Sequence, residues 1–342
     1  MELPLVDVAP LLDDDPDHRT LAARRDVARR LDQACRRFGV VRVSGHGVPA
    51  AERVELERLS RAFFDLPTSD KSEIAMTRAG ASWRGWCPVG AELTSGRPDH
   101  REGIYFGTEA TADDARVIAG TPLHGPNLFP PAPGGLAAAV HGWMRRMELL
   151  GQRTLAALGA ALVIGEEWFA THVTTRPTTL FRIFRHLPER DDDADDGRAA
   201  PQHIDHGLLT LLAQEPGGGL EVQGPRGWID VPADFDELVV IVGGLLERMT
   251  KGLYRAAPHR VRNRTDHGRL SFPFFLDPDW DATATALPAP ELDATDVSAG
   301  PPRWDGADVR AWDGPYGDAL TAKVARAFPA LFVAATSRVS GR

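Results

Sequence analysis

From Leu180 onward the chain breaks into short apolar runs separated by turn signals, and that rhythm leaves few folds open. Leu220-Glu221-Val222-Gln223 and Trp228-Ile229-Asp230-Val231 alternate around Gly224-Pro225-Arg226-Gly227, a hairpin signature. Leu180 to Phe184, Leu238 to Val242 and Leu270 to Leu276 read as further strands. Short strands at roughly regular spacing predict a sandwich or jelly roll. The first half reads differently. A short strand covers Leu3 to Val8. An amphipathic helix runs from about Thr20 to Phe38, with Leu21, Val27, Leu31, Ala34, Cys35 and Phe38 on its apolar side, and Gly39 ends it. A strand over Val40 to Val43 follows, then a second helix through the 50s and early 60s, then a loop-rich stretch from Thr77 to Gly107. Gly134 to Ile164 carries the longest helical stripe, with Gly165 expected as its cap and the helix as a support along a sheet. The fold class is therefore mainly β with flanking helices. No linker splits the chain, and residues 1–342 read as a single domain.

Composition narrows the partners. A net charge of −9 argues against nucleic acid, whose phosphates would be repelled. No apolar run approaches transmembrane length and no signal pattern opens the chain, so no membrane is expected and the cytoplasm is the default location. Two cysteines cannot make a disulfide framework. Cys35 reads as a buried helical thiol and Cys87 as a loop thiol. The run Asp191-Asp192-Asp193-Ala194-Asp195-Asp196 reads as a solvated loop in preference to a calcium site.

The chemistry-bearing residues stand out by spacing. His18, His124, His172 and His267 lie among charged or loop residues and read as surface, His46 occupies a Gly-His-Gly turn, and His100 and His141 have no partner at ligand spacing. His203-Ile204-Asp205 is different. On a strand, His203 and Asp205 would share a face and offer an imidazole and a carboxylate to one metal. His259 is the candidate third ligand. Two histidines and one carboxylate leave three positions open, as in non-haem Fe(II) oxygenases. The dyad alone is a weak signal, against which a structural or loop reading competes. Arg269-Leu270-Ser271, ten residues after His259, would put a guanidinium and a hydroxyl on one strand face, a receptor for a carboxylate. A surface arginine on an edge strand competes with that reading.

Taken together, Pro201 to Leu212, Glu247 to Thr250, Tyr254 to Asn263 and Arg269-Leu270-Ser271 resemble the isopenicillin N synthase-like family of Fe(II)/2-oxoglutarate-dependent oxygenases. Leu5 to Val8, Phe38-Gly39, Ser44 to Gly47, Phe64 to Pro67, Glu102 to Gly107 and Tyr316-Gly317 extend the resemblance over most of the chain. It implies a distorted jelly roll (a cupin-like double-stranded β-helix) at about 175–280, an N-terminal α/β region at about 1–110 and a C-terminal extension over 281–342. It implies Fe(II) on His203, Asp205 and His259, with 2-oxoglutarate on Arg269 and Ser271. O2 would then oxidise a C–H bond of a small molecule, most simply by hydroxylation, with desaturation or cyclisation open to the same machinery, releasing succinate and CO2. Trp83, Arg84 and Tyr105 fall in segments resembling the substrate-facing region, where Arg84 would suit a carboxylate-bearing substrate; core and surface roles compete for Trp83 and Arg84. The rival within the family is an oxidase that uses no 2-oxoglutarate and binds a substrate carboxylate at Arg269 and Ser271. Rivals from other classes are a non-catalytic jelly-roll binding protein and a zinc hydrolase. Two departures bear on the site. Relatives often carry an Asn and an Asp where this chain has Ile241 and Gly244, and loss of that capping Asp predicts a looser turn. Where many relatives have a Tyr before a Pro, this chain reads Phe184 to Pro188, and His186 reads as a core or edge histidine in preference to a donor.

Overall fold

The structure, a computed structural model, describes residues 2–14, 17–188, 200–293, 314–329 and 331. The acidic run from Asp191 lies outside them. Its strands are β1 (Leu5–Asp7), β2 (Val40–Ser44), β3 (Gly85–Cys87), β4 (Leu93–Thr94), β5 (Arg97–Pro98), β6 (Arg101–Gly107), β7 (Pro177–His186), β8 (Ala200–His203), β9 (Leu209–Gln214), β10 (Leu220–Gly224), β11 (Gly227–Asp230), β12 (Leu238–Val242), β13 (His259–Val261) and β14 (Arg269–Asp279). One sheet runs β1-β2-β12-β9-β14-β7-β6-β3 and a smaller one β11-β10-β13-β8, together forming the jelly-roll core.

Strands of the large sheet read as continuous apolar runs because both of their faces are covered. Alternate residues nevertheless part cleanly. On β12, Val239 and Ile241 join an inner cluster with Leu212, Val222 and Val261, while Leu238, Val240 and Val242 join the main core on the other side. On β14, Leu270, Phe272, Phe274 and Leu276 belong to that outer core, which leaves Arg269 and Ser271 on the inner face. The β10–β11 edge hairpin keeps a partly exposed pattern, with Gly224 opposite Gly227 across a two-residue turn.

The outer face is covered by helices α1 (His18–Phe38), α2 (Ala50–Phe64) and α3 (Leu136–Ala161). The Asp17 carboxylate caps α1, accepting from the Thr20 N–H at 2.8 Å. Helix α3 buries the predicted stripe, and Gly151 lets it lie directly on the sheet: a Cβ there would stand 2.7 Å from Leu276 and 3.5 Å from Leu211. Its end differs from expectation. The helix stops at Ala161, and the reversal is made by Val163 at φ 59°, with the Ile164 N–H reaching back to the Gly159 carbonyl, so Gly165 lies beyond the cap. Cys87 also differs, being buried on β3 rather than in a loop, because β3 is covered as the edge of the large sheet. Among the described residues no helix is long and apolar enough to cross a membrane.

Gly151→Leu should wedge α3 away from β9 and β14 and cost about 1–3 kcal/mol of unfolding free energy, as overpacking of a close contact usually does. A urea-denaturation midpoint equal to that of the parent chain would show that the helix does not depend on this approach.

Candidate metal centre

His203 and His259 meet because β8 and β13 pair antiparallel with these two residues directly opposite one another, which puts their rings 4.3 Å apart. Each Nδ1–H donates to the carbonyl two residues back, Pro201 at 2.8 Å and Ala257 at 3.1 Å. Those bonds set the tautomer that leaves both Nε2 lone pairs free. Asp205 is not on the strand as the alternation argument required. Strand β8 ends at His203, and the chain turns over Ile204 to Gly207. The carboxylate arrives by that turn, with Oδ1 3.9 Å from His203 Nε2 and Oδ2 3.7 Å from His259 Nε2.

The turn is held by backbone. Helix α4 (Gly244–Met249) has no side-chain cap, yet its first N–H groups are not idle. Gly244 N–H donates to the Asp205 carbonyl at 2.8 Å, Leu245 N–H to the His206 carbonyl at 2.9 Å, and Gly243 N–H to the Leu208 carbonyl at 2.9 Å. A Cβ on Gly243 would stand 2.1 Å from the Gly207 carbonyl oxygen, so only glycine permits the contact. The expected loosening of this turn does not occur, because the ligand turn itself satisfies the helix N-terminus.

The Asp205 carboxylate accepts from the Thr210 hydroxyl at 2.6 Å. Burial works to raise its pKa, but the two imidazoles, the nearby Lys323 ammonium and that hydroxyl outweigh it and hold Asp205 below the ordinary carboxylate range. Burial first, and the neighbouring His259 second, push His203 down to about 3, so it stands as the neutral imidazole that ligates metals. Ligand atoms of His203, Asp205 and His259 lie within 4.8 Å of one another, and this is the only such cluster of three among the described residues. Two imidazoles and a carboxylate suit Fe(II) and leave open positions on it.

Arg269 and Ser271 do share the inner face of β14, and both are buried. Arg269 Nε and Nη1 have no hydrogen-bond partner among the described residues. Burial pulls its pKa down to about 10 against the opposing charge of Glu215. A buried guanidinium with unmet donors is a costly arrangement unless an anion is to occupy it. His186, directly opposite Arg269 across β7–β14, is fully buried, as a core histidine should be, and sits 2.7 Å from the Ser271 hydroxyl through Nε2. Burial, then the charges of Arg269 and Arg101, keeps it neutral.

The three residues expected at the substrate end, Trp83, Arg84 and Tyr105, are all buried. Trp83 packs in the main apolar core. Arg84 lies against Gly107 on the inner face of β6, its Nη2 donating to the Leu123 carbonyl at 2.7 Å. Tyr105 is on that face too, its hydroxyl bonded to Glu92, which also takes Arg101 at 2.8 Å. His124, expected at the surface, is half-buried edge-on against Trp280, because the loop carrying it folds back over that indole.

Comparison with known proteins decides the family. Residues 179–278 match the 2OG-Fe(II) oxygenase superfamily model, and residues 3–132 match the model for the N-terminal region of the non-haem dioxygenase in morphine synthesis. A probable iron/ascorbate oxidoreductase of Dictyostelium discoideum is 34% identical, with 96% of each chain aligned. The chain belongs to the 2OG-Fe(II) oxygenase superfamily. Clavatol oxidase of Penicillium crustosum is 32% identical over 82% of this oxygenase and 86% of that enzyme. Among solved structures, a full-length Neurospora crassa protein in complex with alpha-KG superposes with a TM-score of 0.76 over 94% of this chain and 96% of that one at 20% identity. The rice dioxygenase for auxin oxidation superposes with 0.66 over 97% and 99% at 25%. The oxygenase is thus an Fe(II)- and 2-oxoglutarate-dependent dioxygenase with a jelly-roll core.

Sequence reasoning missed Thr210 and the Gly207–Gly243 contact, since both act through the folded position of Asp205. Thr210→Val, which keeps the shape and removes the hydroxyl, should weaken Fe(II) binding about tenfold to a hundredfold, the usual cost of losing a partner of a metal ligand. Fe(II) affinity equal to that of the unsubstituted oxygenase would remove Thr210 from the centre.

Proposed function

We propose that His203, Asp205 and His259 hold the iron of this dioxygenase, and that Arg269 and Ser271 hold the distal carboxylate of 2-oxoglutarate. The observation carrying the second assignment is the pair of unmet donors on buried Arg269, on the same inner face as Ser271. When bound, iron and 2-oxoglutarate supply the oxidising chemistry: O2, the keto acid and a substrate C–H bond become succinate, CO2 and a hydroxylated product. The chain's own residues orient and shield. The guanidinium offers a fork of donors to a carboxylate, and the Ser271 hydroxyl adds a directed bond. Ser271 is steered by neutral His186 on its other side, which takes over part of the orienting role that a hydroxyl-bearing side chain could fill at that end of β7. Thr210 fixes one oxygen of Asp205, so that the carboxylate presents a single orientation to the ion.

The substrate is a small molecule in this reading. The names of relatives run from homoarginine-6-hydroxylase to clavatol oxidase, so identity near 30% supports the reaction class and leaves the substrate to the chamber's own residues.

Anaerobic titration of the Fe(II)-loaded oxygenase with 2-oxoglutarate should produce a saturable visible charge-transfer band. His203→Ala should abolish iron retention and turnover together. Arg269→Ala should weaken 2-oxoglutarate binding by about 3 kcal/mol or more, as stripping one partner from a buried charged pair does. An Arg269→Ala band that saturates at the same 2-oxoglutarate concentration would move Arg269 out of the co-substrate pocket, and no band from iron-retaining protein would hand Arg269 and Ser271 to a carboxylate on the substrate itself.

A further inference from the structure

The inner face carries a second group of cations, distinct from Arg269. On β7, alternate residues Arg182, Phe184 and His186 point inward. His186 belongs to the co-substrate end, and Arg182 lies four residues back, about 13 Å along the strand. Asp205 marks the level of the metal centre between the ends of β14: Thr210, whose hydroxyl it accepts, pairs with Phe275. The Arg182 guanidinium stands 5.9 Å from the Phe275 ring and 4.4 Å from the Tyr105 ring. It therefore sits beside the metal centre, on the side away from Arg269.

Arg182 is buried, and its Nη1 donates to the Phe106 and Phe181 carbonyls at 3.0 and 3.1 Å. No carboxylate among the described residues pairs with it. Glu92, the nearest acid on the neighbouring loop, is already taken by Arg101 and Tyr105, and Asp99 by Arg101 at 2.6 Å. Arg84 lies flat on Gly107, two residues along β6 from Tyr105, close enough that Arg182 adds to burial in pulling its pKa down to about 9. Arg84 Nε and Nη1 have no hydrogen-bond partner among the described residues.

The third cation comes from the other end of the chain. Helix α5 (Tyr316–Ala327) closes over this chamber, with Phe328 edge-on to Tyr105 at 5.7 Å. Its Lys323 is half-buried, feels the charges of Asp205, Asp277, Glu92 and Arg182, and makes no hydrogen bond or ion pair among the described residues. Asp277, buried against Gly207, offsets one of these positive charges. Outside the metal ligands, the acids near these three cations without a basic partner among the described residues are Asp277 and the exposed Glu109 beside Arg84. Three cations against these two leave a positive excess at this end of the inner face, and the buried share of it is costly until an anion meets it.

We propose that the substrate of this dioxygenase is a carboxylate-bearing small molecule whose anion is held by Arg182 and Lys323, backed by Arg84, so that the C-terminal helix supplies part of the substrate site. This rests on the iron and co-substrate assignment above for the identity of the neighbouring centre. It accounts for the two cationic ends of the inner face. Arg269 takes one dicarboxylate and Arg182 with Lys323 takes the substrate, and the C–H bond to be oxidised is held between them.

The test uses the Fe(II)- and 2-oxoglutarate-loaded oxygenase under anaerobic conditions. A panel of aliphatic, aromatic and α-amino carboxylic acids, each beside its primary amide, is titrated while the charge-transfer band is followed. At least one acid should perturb the band while its amide does not. Arg182→Gln and Lys323→Gln should each raise the apparent Kd and KM for that acid about tenfold or more, the size of a charge-assisted bond, and Lys323→Arg should recover most of the loss. Lys323→Met should leave the thermal midpoint of the substrate-free protein unchanged or raised, whereas a structural lysine would lower it. Amides that act as well as acids, a panel in which no acid acts, or unchanged constants in both glutamine variants would overturn the proposal. Calorimetric titration of the same acids into metal-free protein reads the subsite by itself, so a missing charge-transfer band alone condemns the co-substrate assignment and leaves this one to its own measurement.

Discussion

Gly243, just past the end of β12, comes so close to the Gly207 backbone that it could carry no side chain, and this brings the N-terminus of α4 onto the carbonyls of Asp205 and His206. The arrangement solves two problems at once. Helix N–H groups that would otherwise be orphaned find acceptors, and a carboxylate just past the end of a strand is held at the height of two cross-strand histidines. Remove the contact and Asp205 has only the Thr210 hydroxyl to place it.

The second organising principle is the cost of charge in an enclosed space. A jelly roll with helices on its outer face must put apolar side chains outward from the large sheet as well as inward at its closed end, where Val239, Ile241, Leu212 and Val222 fill the gap between sheets. Towards the other end the same inner-facing positions change to Arg269, Ser271, His186, Arg182 and Tyr105. Some of that charge is internally settled, as in the Arg101–Glu92–Asp99 group. What is left over is cationic, and it lies at two places on either side of the metal centre. An enzyme that must gather a dicarboxylate and a second small molecule around one ion can use such leftover charge to sort them.

Much of this is legible in the sequence, and the reasons differ by residue. The strands and the long helices follow from apolar periodicity, since burial of a face or stripe leaves its mark at every second or at every third and fourth position. Arg269 and Ser271 are readable together because strand alternation carries their shared face in the sequence itself. For His203 and Asp205 the spacing points to the right residues through the wrong geometry: alternation on a strand predicts a shared face, and a turn brings the two together. The reversal at Val163 rather than near Gly165, and the turn that stays tight without a capping Asp, escape sequence reasoning because neighbouring backbone overrides local residue preference.

The sequence by itself pointed to the fold class, the His203–Asp205 dyad and the Arg269–Ser271 pair, because each is written in local spacing that a strand or a short motif preserves, whereas His259 joined the dyad through the family resemblance of the whole ordered set. Only the tertiary structure decided how Asp205 reaches the histidines, that His186 supports Ser271, and that Arg84 and Lys323 both feel the charge of Arg182. Those relations join residues far apart along the chain, through pairing register and the closing of a C-terminal helix over the barrel, and no periodicity along the chain records which distant charges will be enclosed together.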